Sequence, residues 1–463
     1  MKAYPKKTSF AVWGFGITGR SLAEALARRG HPVIVIEDRA ESAFRDHADL
    51  IKRLKKHGVK FNFGGVDDIP RFVKGKVDVL SPSPGIRITE DLIEACDRAR
   101  VQIAGEIEIA ARMLQGKFIA VTGTDGKTTT TSLIHHILKS VGFTAHIAGN
   151  IGSPLADLWG ETRSDHWIVV EVSSYQLETV RLFRPHVAVL LNIAEDHLER
   201  HCDMRTYIRM KGRIFERQRS QDYAVLNLDD PNCIQAYGQA RSKLAGISLA
   251  GPVPNGAWRE EGNFRVDTKN GPKKVAPVDE ISLQCEHNQL NALASILACS
   301  IVGCPINEIA EALTTFNPLP HRIEKIGKLD DVLWVNDSKA TNVHSTISAI
   351  RCFESPIVLL LGGYEKNLDL TEMIPHIKQQ ARHVVLLGDT RNRFRKLLRE
   401  AGYTNFTVRK TLQEACLVAQ GIAQPGDVVL LSPASSSFDQ FKDYIERGET
   451  FRKWVEKRLE KQD

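Results

Sequence analysis

The sequence lacks the features that mark membrane proteins and nucleic-acid-binding proteins. Across 463 residues no apolar run approaches the roughly 18 residues of a membrane span, and the run after the N-terminal lysines is broken at Gly14, too early for a signal-peptide core. Lys and Arg exceed Asp and Glu by only six, and the two signs are interleaved along the chain. We therefore expect no membrane segment and no nucleic-acid partner.

Cysteine pairs of the C-x-x-C type are also missing. The cysteines stand mostly in apolar segments, which predicts buried, reduced thiols in a cytosolic protein. They are Cys96, Cys202, Cys233, Cys285, Cys299, Cys304, Cys352 and Cys416. The composition, 42 % hydrophobic and 25 % charged, is that of a soluble globular enzyme, and the length predicts two or three domains.

The strongest motif is VTGTDGKTTTT, residues 121–131. An apolar run enters a loop with Gly123 and Gly126, and a helix-compatible stretch follows. The usual phosphate-loop pattern G-x-x-x-x-G-K-[ST] would have glycine where Val121 stands, so the loop is a shortened G-x-x-G-K-T form. It predicts a triphosphate site in which Lys127 reaches the outer phosphates and Thr128 helps to hold magnesium. A plain strand-to-helix turn is the alternative.

Residues 10–38 have the pattern strand, glycine turn, helix, strand. The turn carries G-x-G-x-x-G at residues 14–19, and Glu37 and Asp38 end the second strand, where dinucleotide-binding folds place a ribose-binding acid. A nucleotide or sugar-nucleotide site is one interpretation, and a structural turn is the other. A further buried strand within 77–86 ends in a Pro/Gly turn whose residues could face the same crevice; these residues are Ser83 and Gly85.

Polar residues follow other predicted strands, and each has a simpler explanation. Glu171 at a strand end could hold magnesium or be a surface acid. His197, taken alone, is more often a structural histidine, and Lys211 in a helical stretch is more often solvated. Asn288 could cap the helix 286–303, although Asn291 one turn later favours a contact with adenine or substrate.

The remainder of the chain alternates strand and helix patterns again, which predicts a parallel sheet with helices on both faces. Loops after its strands would present Asp337, Lys339, Thr341, Lys366 and Ser435–Ser437 at one edge. A helix opening at Ser437 would offer hydroxyls and amides to a carboxylate, or would simply be a solvated cap. Breaks near Gly105 and at 316–320 divide the chain into 1–105, 106–318 and 319–463.

Taken together, these motifs resemble the Mur ligases, ATP-dependent amide-forming enzymes that build the peptide stem of the bacterial cell wall. The resemblance covers nearly the whole chain. It rests on GTDGKTT, GNIG, EVSSYQLE, LNIAEDHLERH, HNQLNALA, PHRIE, NDSKATN, LLGG with Lys366, and LSPASSSFDQFKDYIERG. It implies an α/β fold with three domains: an N-terminal Rossmann-like domain, a central P-loop-type ATPase domain with a parallel sheet, and a C-terminal Rossmann-like domain.

The resemblance also implies roles for individual residues. The ATP-binding residues are Gly123, Thr124, Asp125, Gly126, Lys127, Thr128, Thr129, Asn288, Asn291, Arg322 and Asp337. The catalytic residues are Lys127, Glu171, His197 and Lys211, and the Mg²⁺ ligands are Thr128, Glu171, His197 and a carbamylated Lys211. The UDP-substrate residues are Ile17, Thr18, Asp38, Arg39, Ser83, Gly85, Asn150, Ser173, Ser174 and Gln176. The amino-acid residues are Lys339, Thr341, Lys366, Ser437 and Tyr444.

Within the family, the resemblance is strongest to a member that adds D-glutamate to UDP-N-acetylmuramoyl-L-alanine in peptidoglycan synthesis, through an acyl phosphate and with release of ADP and phosphate. It rests on the compact N-terminal domain, NDSKATN with Lys366, and SPASSSFDQF. The expected enzyme is a cytoplasmic monomer without nucleic-acid or membrane partners. A related ligase for another amino acid, including L-glutamate, and a nucleotide-sensing or nicotinamide-dependent protein remain alternatives. Departures from the family pattern occur at Asp125, Ala194, His344, Ser435 and Tyr444.

Overall fold

The computed structural model describes residues 3–238, 240–283, 285–365 and 369–460. Within these residues the chain forms three β-sheets with helices packed against them, which confirms the predicted three-domain α/β fold. The chain divides into two compact units. The first comprises 1–193, 197–277 and 290–315, and the second comprises 194–196, 278–289 and 316–463. The predicted boundaries at 105 and 318 stay a prediction.

The first sheet of the first unit is parallel, with strand order β3-β2-β1-β4-β5. Its short apolar strands alternate with helices, as in a doubly wound fold. The strands are β1 (Phe10–Trp13), β2 (Val33–Glu37), β3 (Lys60–Phe63), β4 (Val79–Pro82) and β5 (Gln102–Ile103). The helices are α1 (Ile17–Arg28), α2 (Ala48–Lys56), α3 (Ile69–Val73) and α4 (Glu90–Arg98), with a 3₁₀ helix at Glu41–His47.

The second sheet of this unit has nine described strands, in the order β14-β13-β12-β11-β10-β9-β6-β8-β7. The strands are β6 (Lys117–Thr122), β7 (Ala145–Gly149), β8 (Trp167–Glu171), β9 (Val187–Leu190), β10 (Tyr223–Asn227), β11 (Lys243–Ser248), β12 (Ala257–Glu260), β13 (Asn263–Thr268) and β14 (Gly271–Pro277). All pairings among β6 to β12 are parallel. The pairings β12 with β13 and β13 with β14 are antiparallel. Buried on both faces, the central strands are the near-continuous apolar runs seen in the sequence.

Helices of varied length cover this second sheet. They are α5 (Glu106–Met113), α6 (Lys127–Ser140), α7 (Ser174–Leu177), α8 (Leu198–His201), α9 (Met204–Gly212), α10 (Pro231–Tyr237), α11 (Glu286–Val302) and α12 (Ile306–Thr315). Two 3₁₀ helices, Leu155–Leu158 and Arg213–Phe215, lie among them. Helix α6 follows β6 directly, so the glycine loop joins a central strand to a helix, as the sequence predicts.

The third sheet belongs to the second unit and has the order β15-β16-β20-β17-β18-β19. All its pairings are parallel except β15 with β16. The strands are β15 (Glu324–Leu329), β16 (Val332–Asn336), β17 (Ile357–Leu361), β18 (Ala381–Leu386), β19 (Phe406–Val408) and β20 (Val428–Leu431). The helices are α13 (Val343–Ile350), α14 (Ile374–Gln380), α15 (Arg391–Glu400), α16 (Leu412–Ile422) and α17 (Tyr444–Leu459), with a 3₁₀ helix at Thr371–Met373.

Helix α17 anchors the end of the described chain to the third sheet. Phe451 and Val455 are buried in the same apolar cluster as Trp334 of β16, and the Trp334 and Phe451 ring centroids are 5.8 Å apart. Because this burial removes large apolar surfaces from water, the charged C-terminal segment is a packed helix and not a loose tail. No helix in the described part of the chain has the length and hydropathy to cross a membrane.

Two predictions about local chemistry are wrong. Cys285 and Cys352 form a disulfide, with Cα atoms 4.9 Å apart, and Cys202 is exposed, so the cysteines are not all buried thiols. The helix expected to open at Ser437 begins instead at Tyr444, where the Asp443 side chain accepts a hydrogen bond from the amide of Glu446 (2.9 Å) and caps it.

Candidate active site

The phosphate loop lies between β6 and α6 in the middle of the second sheet. Gly126 precedes the helix with φ +80°, a left-handed conformation that glycine adopts without steric cost. A Cβ atom at this position would meet the side chain of Asn291. The loop and the first turn of α6 contain the ATP-binding residues predicted for this part of the chain: Gly123, Thr124, Asp125, Gly126, Lys127, Thr128 and Thr129.

Two lysine ammonium groups converge on this loop. Lys127 donates hydrogen bonds to the carbonyl oxygens of Gly123 (2.9 Å) and Thr124 (2.6 Å). Lys211, from α9, donates to the same Gly123 carbonyl (2.7 Å) although its side chain is only 1 % exposed. Tyr207 lies beside them, with its hydroxyl 3.2 Å from Thr124 Oγ1. The ammonium group of Lys127 on the loop creates a favourable place for a polyphosphate.

Asn291 supports the loop from helix α11. Its Oδ1 accepts a hydrogen bond from the hydroxyl of Thr130 (3.2 Å), and the side chain is buried. Asn291 thus lies beside the phosphate loop, and its predicted contact with ATP stays a prediction. Asn288, in contrast, belongs to the second unit, and its amide donates to the Cys285 carbonyl (2.8 Å) inside the first turn, so it is not the N-cap of α11.

Glu171 ends β8, next to β6 in the sheet. Its Oε1 accepts a hydrogen bond from Asn150 Nδ2 (2.8 Å), and among the described residues its buried Oε2 has no hydrogen-bond partner. An unsatisfied buried carboxylate oxygen is costly unless a cation or donor completes it. This atom therefore fits a divalent cation, and Mg²⁺ bound with ATP needs only one or two protein oxygens because phosphates and waters supply the rest.

His197 lies at the start of α8 with φ +56°. Its Nδ1 is 3.1 Å from the hydroxyl of Tyr175. The described residues contain no group of three or more His, Cys, Asp or Glu side chains arranged to hold a metal by themselves. In phosphoryl-transfer enzymes magnesium takes part of its ligands from the nucleotide and from water.

The residues Ser173, Ser174 and Gln176 have protein partners in this structure. Ser173 and Gln176 form a capping box around α7, because each side chain bonds to the other residue's amide. Ser174 Oγ lies 3.0 Å from Nε2 of His201, whose pKa is lowered chiefly by burial. The resemblance assigned these three residues to the substrate. The spacing of Ser173 and Gln176 also fits a capping box, a local role that the sequence analysis did not consider.

The first glycine loop lies at the carboxyl end of β1. A Cβ atom on Gly19 would meet the Gly14 carbonyl oxygen, so this glycine permits a tight turn. Ser83, after β4, lies beside the loop with its hydroxyl 3.4 Å from the Gly14 carbonyl oxygen, as the sequence predicts. Ile17 at the start of α1 is 67 % exposed. The other UDP-substrate residues predicted here, Thr18, Asp38, Arg39 and Gly85, lie at the same edge of the sheet, at or just after the ends of its strands or at the start of α1.

Glu37, which the sequence suggested only as a possible ribose-binding acid beside Asp38, has a role that was not predicted: its buried carboxylate organises this loop. Glu37, at the end of β2, accepts a hydrogen bond from the Phe15 amide (2.7 Å) and forms an ion pair with Arg39 (2.8 Å). Burial raises the pKa of Glu37, but the hydrogen bonds from Arg39 and Phe15 outweigh it, so the pKa lies below its ordinary value. Its position at a strand end, before Asp38, was the available signal.

The second unit holds the other predicted ligands around the ends of β16 and β20. Asp337 Oδ2 accepts from the Ser432 hydroxyl (2.8 Å), and Lys339 Nζ lies 3.9 Å from the centroid of the Tyr444 ring. Arg322, Thr341 and Ser437 occupy loops of the same unit. Lys366 lies outside the described residues.

Arg447 is a second residue that sequence reasoning missed. Its guanidinium is 1 % exposed and donates to Ser338 Oγ (3.0 Å) and to the carbonyl oxygens of Ser338 (2.8 Å), Ser435 (3.1 Å) and Ser436 (3.2 Å). Burial lowers the pKa of Arg447 to about 10, and Asp439 and Asp337 oppose this effect. Arg447 thus joins the NDSKATN loop to the serine segment, Ser435–Ser437. A positive charge in the sequence does not by itself reveal this role.

Comparison with known proteins gives consistent matches over nearly the whole length. Residues 121–299 match the Mur ligase middle domain, and residues 321–435 match the Mur ligase glutamate ligase domain. The chain is 36 % identical to UDP-N-acetylmuramoylalanine--D-glutamate ligase of Thermoanaerobacter sp. (strain X514), with 96 % of this chain and 97 % of that protein covered.

Solved structures agree at the level of the fold. A pseudomurein peptide ligase type C from Methanothermus fervidus superposes with a TM-score of 0.59 at 20 % identity, over 97 % of this chain and 100 % of that one. MurF ligase from Thermotoga maritima, solved in complex with ADP, gives a TM-score of 0.57 at 18 % identity, over 83 % of this chain and 96 % of that one.

Proposed function

Since this chain belongs to the Mur ligase family, we propose that it joins D-glutamate to UDP-N-acetylmuramoyl-L-alanine, converting ATP to ADP and phosphate. The name and near-complete coverage of the Thermoanaerobacter relative support this choice of substrates. The observation that carries the proposal is the convergence of Lys127 and Lys211 on the Gly123 carbonyl in a G-x-x-G-K-T loop. Such a loop binds a nucleotide triphosphate and not the nicotinamide of an oxidoreductase.

The reaction has two steps. The carboxylate of the alanyl residue attacks the γ-phosphorus of ATP, the bond to the β-phosphate oxygen breaks, and an acyl phosphate and ADP result. The amine of glutamate, after losing a proton, then attacks the acyl carbon, and phosphate leaves from a tetrahedral intermediate. In this scheme Lys127 exchanges its carbonyl partners for phosphate oxygens and offsets the charge that repels the incoming carboxylate.

Thr128, Glu171, His197 and a carbamylated Lys211 would hold magnesium, which supplies charge neutralisation of the phosphates when bound. Oε2 of Glu171, which has no hydrogen-bond partner within the described part of the chain, supports this assignment. The burial of Lys211 beside the loop supports its carbamylation, in which the amine nitrogen bonds to the carbon of CO₂, the displaced protons pass to solvent, and an anionic oxygen ligand replaces a buried cation.

The first glycine loop and its neighbours would bind the UDP portion. Helix α1 begins on Gly16 without a side-chain cap, so the amides of its first turn can take a pyrophosphate oxygen, with Ile17, Thr18 and Ser83 around it. Asp38 and Arg39 would reach the uridine. Gly85, Asn150, Ser173, Ser174 and Gln176 complete the proposed substrate set.

In the second unit, Asn288, Arg322 and Asp337 are assigned to ATP, and Lys339, Thr341, Lys366, Ser437 and Tyr444 to glutamate. The Ser435–Ser437 segment is irregular, so its contribution would come from individual hydroxyls and amides and not from a helix terminus. The proposed setting is a cytoplasmic monomer that serves peptidoglycan synthesis, and through it cell shape and division.

A single assay tests the proposal. The full chain is incubated with ATP, Mg²⁺ and UDP-N-acetylmuramoyl-L-alanine while D-glutamate, L-glutamate and other amino acids are varied, and phosphate and the ligated product are measured. Phosphate release that needs both the UDP-substrate and D-glutamate is expected. Dependence on L-glutamate would identify a ligase of different handedness, and ATP turnover that ignores the amino acid would overturn the proposal.

A further inference from the structure

Arg200 occupies a buried position in α8, three residues after His197. Its side chain is 8 % exposed, and it forms a two-pronged ion pair with Glu178, which is 13 % exposed: Nε lies 2.9 Å from Oε1 and Nη2 lies 2.6 Å from Oε2. A paired geometry of this kind fixes the plane of the guanidinium as well as its position.

The same guanidinium reaches the first sheet of the unit. Nη2 donates to the carbonyl oxygen of Ile86 (2.7 Å), and Nη1 lies 3.5 Å from that of Gly85. These carbonyls follow Ser83 in the turn after β4, which lies beside the first glycine loop. A buried charged donor on a turn carbonyl contributes more than a neutral hydrogen bond, because little water competes for it.

Arg200 is also in contact with the environment of His197. Its guanidinium carbon lies 4.9 Å from the centroid of the Tyr175 ring, and the Tyr175 hydroxyl is 3.1 Å from His197 Nδ1. One side chain therefore touches both the 83–86 turn and the tyrosine that orients His197.

We propose that Arg200 is a positioning residue that couples the 83–86 turn, the proposed UDP-substrate site, to His197 through Tyr175, while Glu178 fixes the guanidinium. This inference rests on the proposed function, which assigns Ser83 and Gly85 to the UDP-substrate and His197 to the metal. Movement of the turn on substrate binding is transmitted through the planar guanidinium to the tyrosine and hence to the histidine ring. Lysine, with a single ammonium, cannot hold Glu178 and Ile86 in that plane together.

The test separates positioning from general stability. The Arg200→Lys variant keeps a positive charge beside Glu178 but loses the two-pronged, planar contact. The KM for UDP-N-acetylmuramoyl-L-alanine is expected to rise about tenfold and kcat to fall severalfold, with little change in Tm. The double variant Arg200→Met with Glu178→Gln removes both buried charges, so Tm is expected to stay near that of the wild type while the high KM persists.

Arg184 provides a matched control. It makes a similar two-pronged ion pair with buried Asp222, at 2.6 Å and 3.1 Å, elsewhere in the same unit. Arg184→Ala is expected to lower Tm with KM unchanged. If it raises KM as much as Arg200→Lys does, or if the double variant recovers KM together with Tm, the inference is wrong.

The result is distinguishable from failure of the proposed function. If the wild-type chain shows no turnover dependent on D-glutamate, the proposed function fails whatever the variants do. Calorimetric binding of UDP-N-acetylmuramoyl-L-alanine without ATP still compares wild type with Arg200→Lys in that case. Equal affinity of the two proteins would overturn the coupling, and about tenfold weaker binding by the variant would support it.

Discussion

The first unit contains two glycine loops built alike and charged oppositely. Each follows a central parallel strand and leads into a helix, α1 or α6, that begins on a glycine without a side-chain cap. In the first loop a carboxylate, Glu37, accepts a hydrogen bond from a loop amide. In the second, the ammonium groups of Lys127 and Lys211 donate to loop carbonyls.

The comparison shows that the glycines and the charged side chains have different roles in the two loops. Glycine lets each backbone turn tightly enough to point amides at an anion, which both loops share. The charge held on the loop then decides how strongly an anion is attracted: the ammonium group of Lys127 suits the dense charge of a triphosphate, whereas Glu37 paired with Arg39 leaves little net charge at the first loop, which suits a less charged pyrophosphate that is held with a sugar and a base.

The largest effect is expected when the Lys127 ammonium group is removed from the second loop. Lys127→Ala is expected to lower kcat by a factor on the order of 10³ because no other group replaces its charge on the phosphates. ADP release is the measurement. Lys139→Ala, on the last turn of the same helix, is the control and should leave the rate unchanged. Near-normal activity of Lys127→Ala would break the proposed assignment.

The glycines can be tested as a pair. Gly126→Ala forces alanine into a left-handed conformation against Asn291, and Gly19→Ala pushes a methyl group onto the Gly14 carbonyl. We expect the first to raise the KM for ATP and the second the KM for the UDP-substrate, each about tenfold.

Each glycine variant also serves as the control for the other, because the proposal requires the KM of the opposite substrate to stay near the wild-type value. Gly421→Ala on α16, where a Cβ atom meets nothing, should be neutral. If both loop variants weaken ATP and UDP-substrate binding equally, the loops are not independent sites.

A smaller effect is expected from Glu37→Gln. The change removes the charge that holds the Phe15 amide and Arg39, so the unfolding free energy should fall by about 1–2 kcal/mol at neutral pH. Because the pKa of Glu37 is lowered on folding from 4.5, its contribution is present above that pH and is lost as the pH falls below it.

The difference in Tm between wild type and Glu37→Gln should consequently shrink on acidification below about pH 4.5. Glu41→Gln, which breaks an exposed ion pair with Lys55, is the control and should show almost no difference at either pH. If the difference in Tm between wild type and Glu37→Gln increases on acidification, the direction of the pKa shift and the role given to Glu37 are both contradicted.

The two glycine loops were predictable from the sequence because neighbouring residues in the chain determine where they form. Apolar runs such as Ile119–Val121 can be buried only as central strands, and the glycines that follow mark the turns. The Gly19 close approach and the placement of Ser83 beside it follow from that topology.

The serine segment was not predictable for the opposite reason. Three successive serines suggested a helix start at Ser437, yet the carbonyls of Ser435 and Ser436 bond to Arg447, more than ten residues away. Asp443 then caps the helix instead. Likewise, the Cys285–Cys352 disulfide joins residues 67 positions apart, and sequence spacing gives no information on their distance in space.

The smallest predicted effect concerns Asp125, an acid within the cationic loop. Its main chain is fixed by Asn192, which accepts from the Asp125 amide (2.8 Å) and donates to its carbonyl (3.2 Å), so Asp125→Asn changes charge with little change in backbone. Removing a negative charge near the phosphates should lower the KM for ATP about two- to threefold at low salt, and less at high salt. Asp125→Glu keeps the charge and should leave the KM unchanged. If Asp125→Asn weakens ATP binding instead, the carboxylate helps to hold the nucleotide's metal, and the loop's preference for a triphosphate depends on an anion as well as on Lys127.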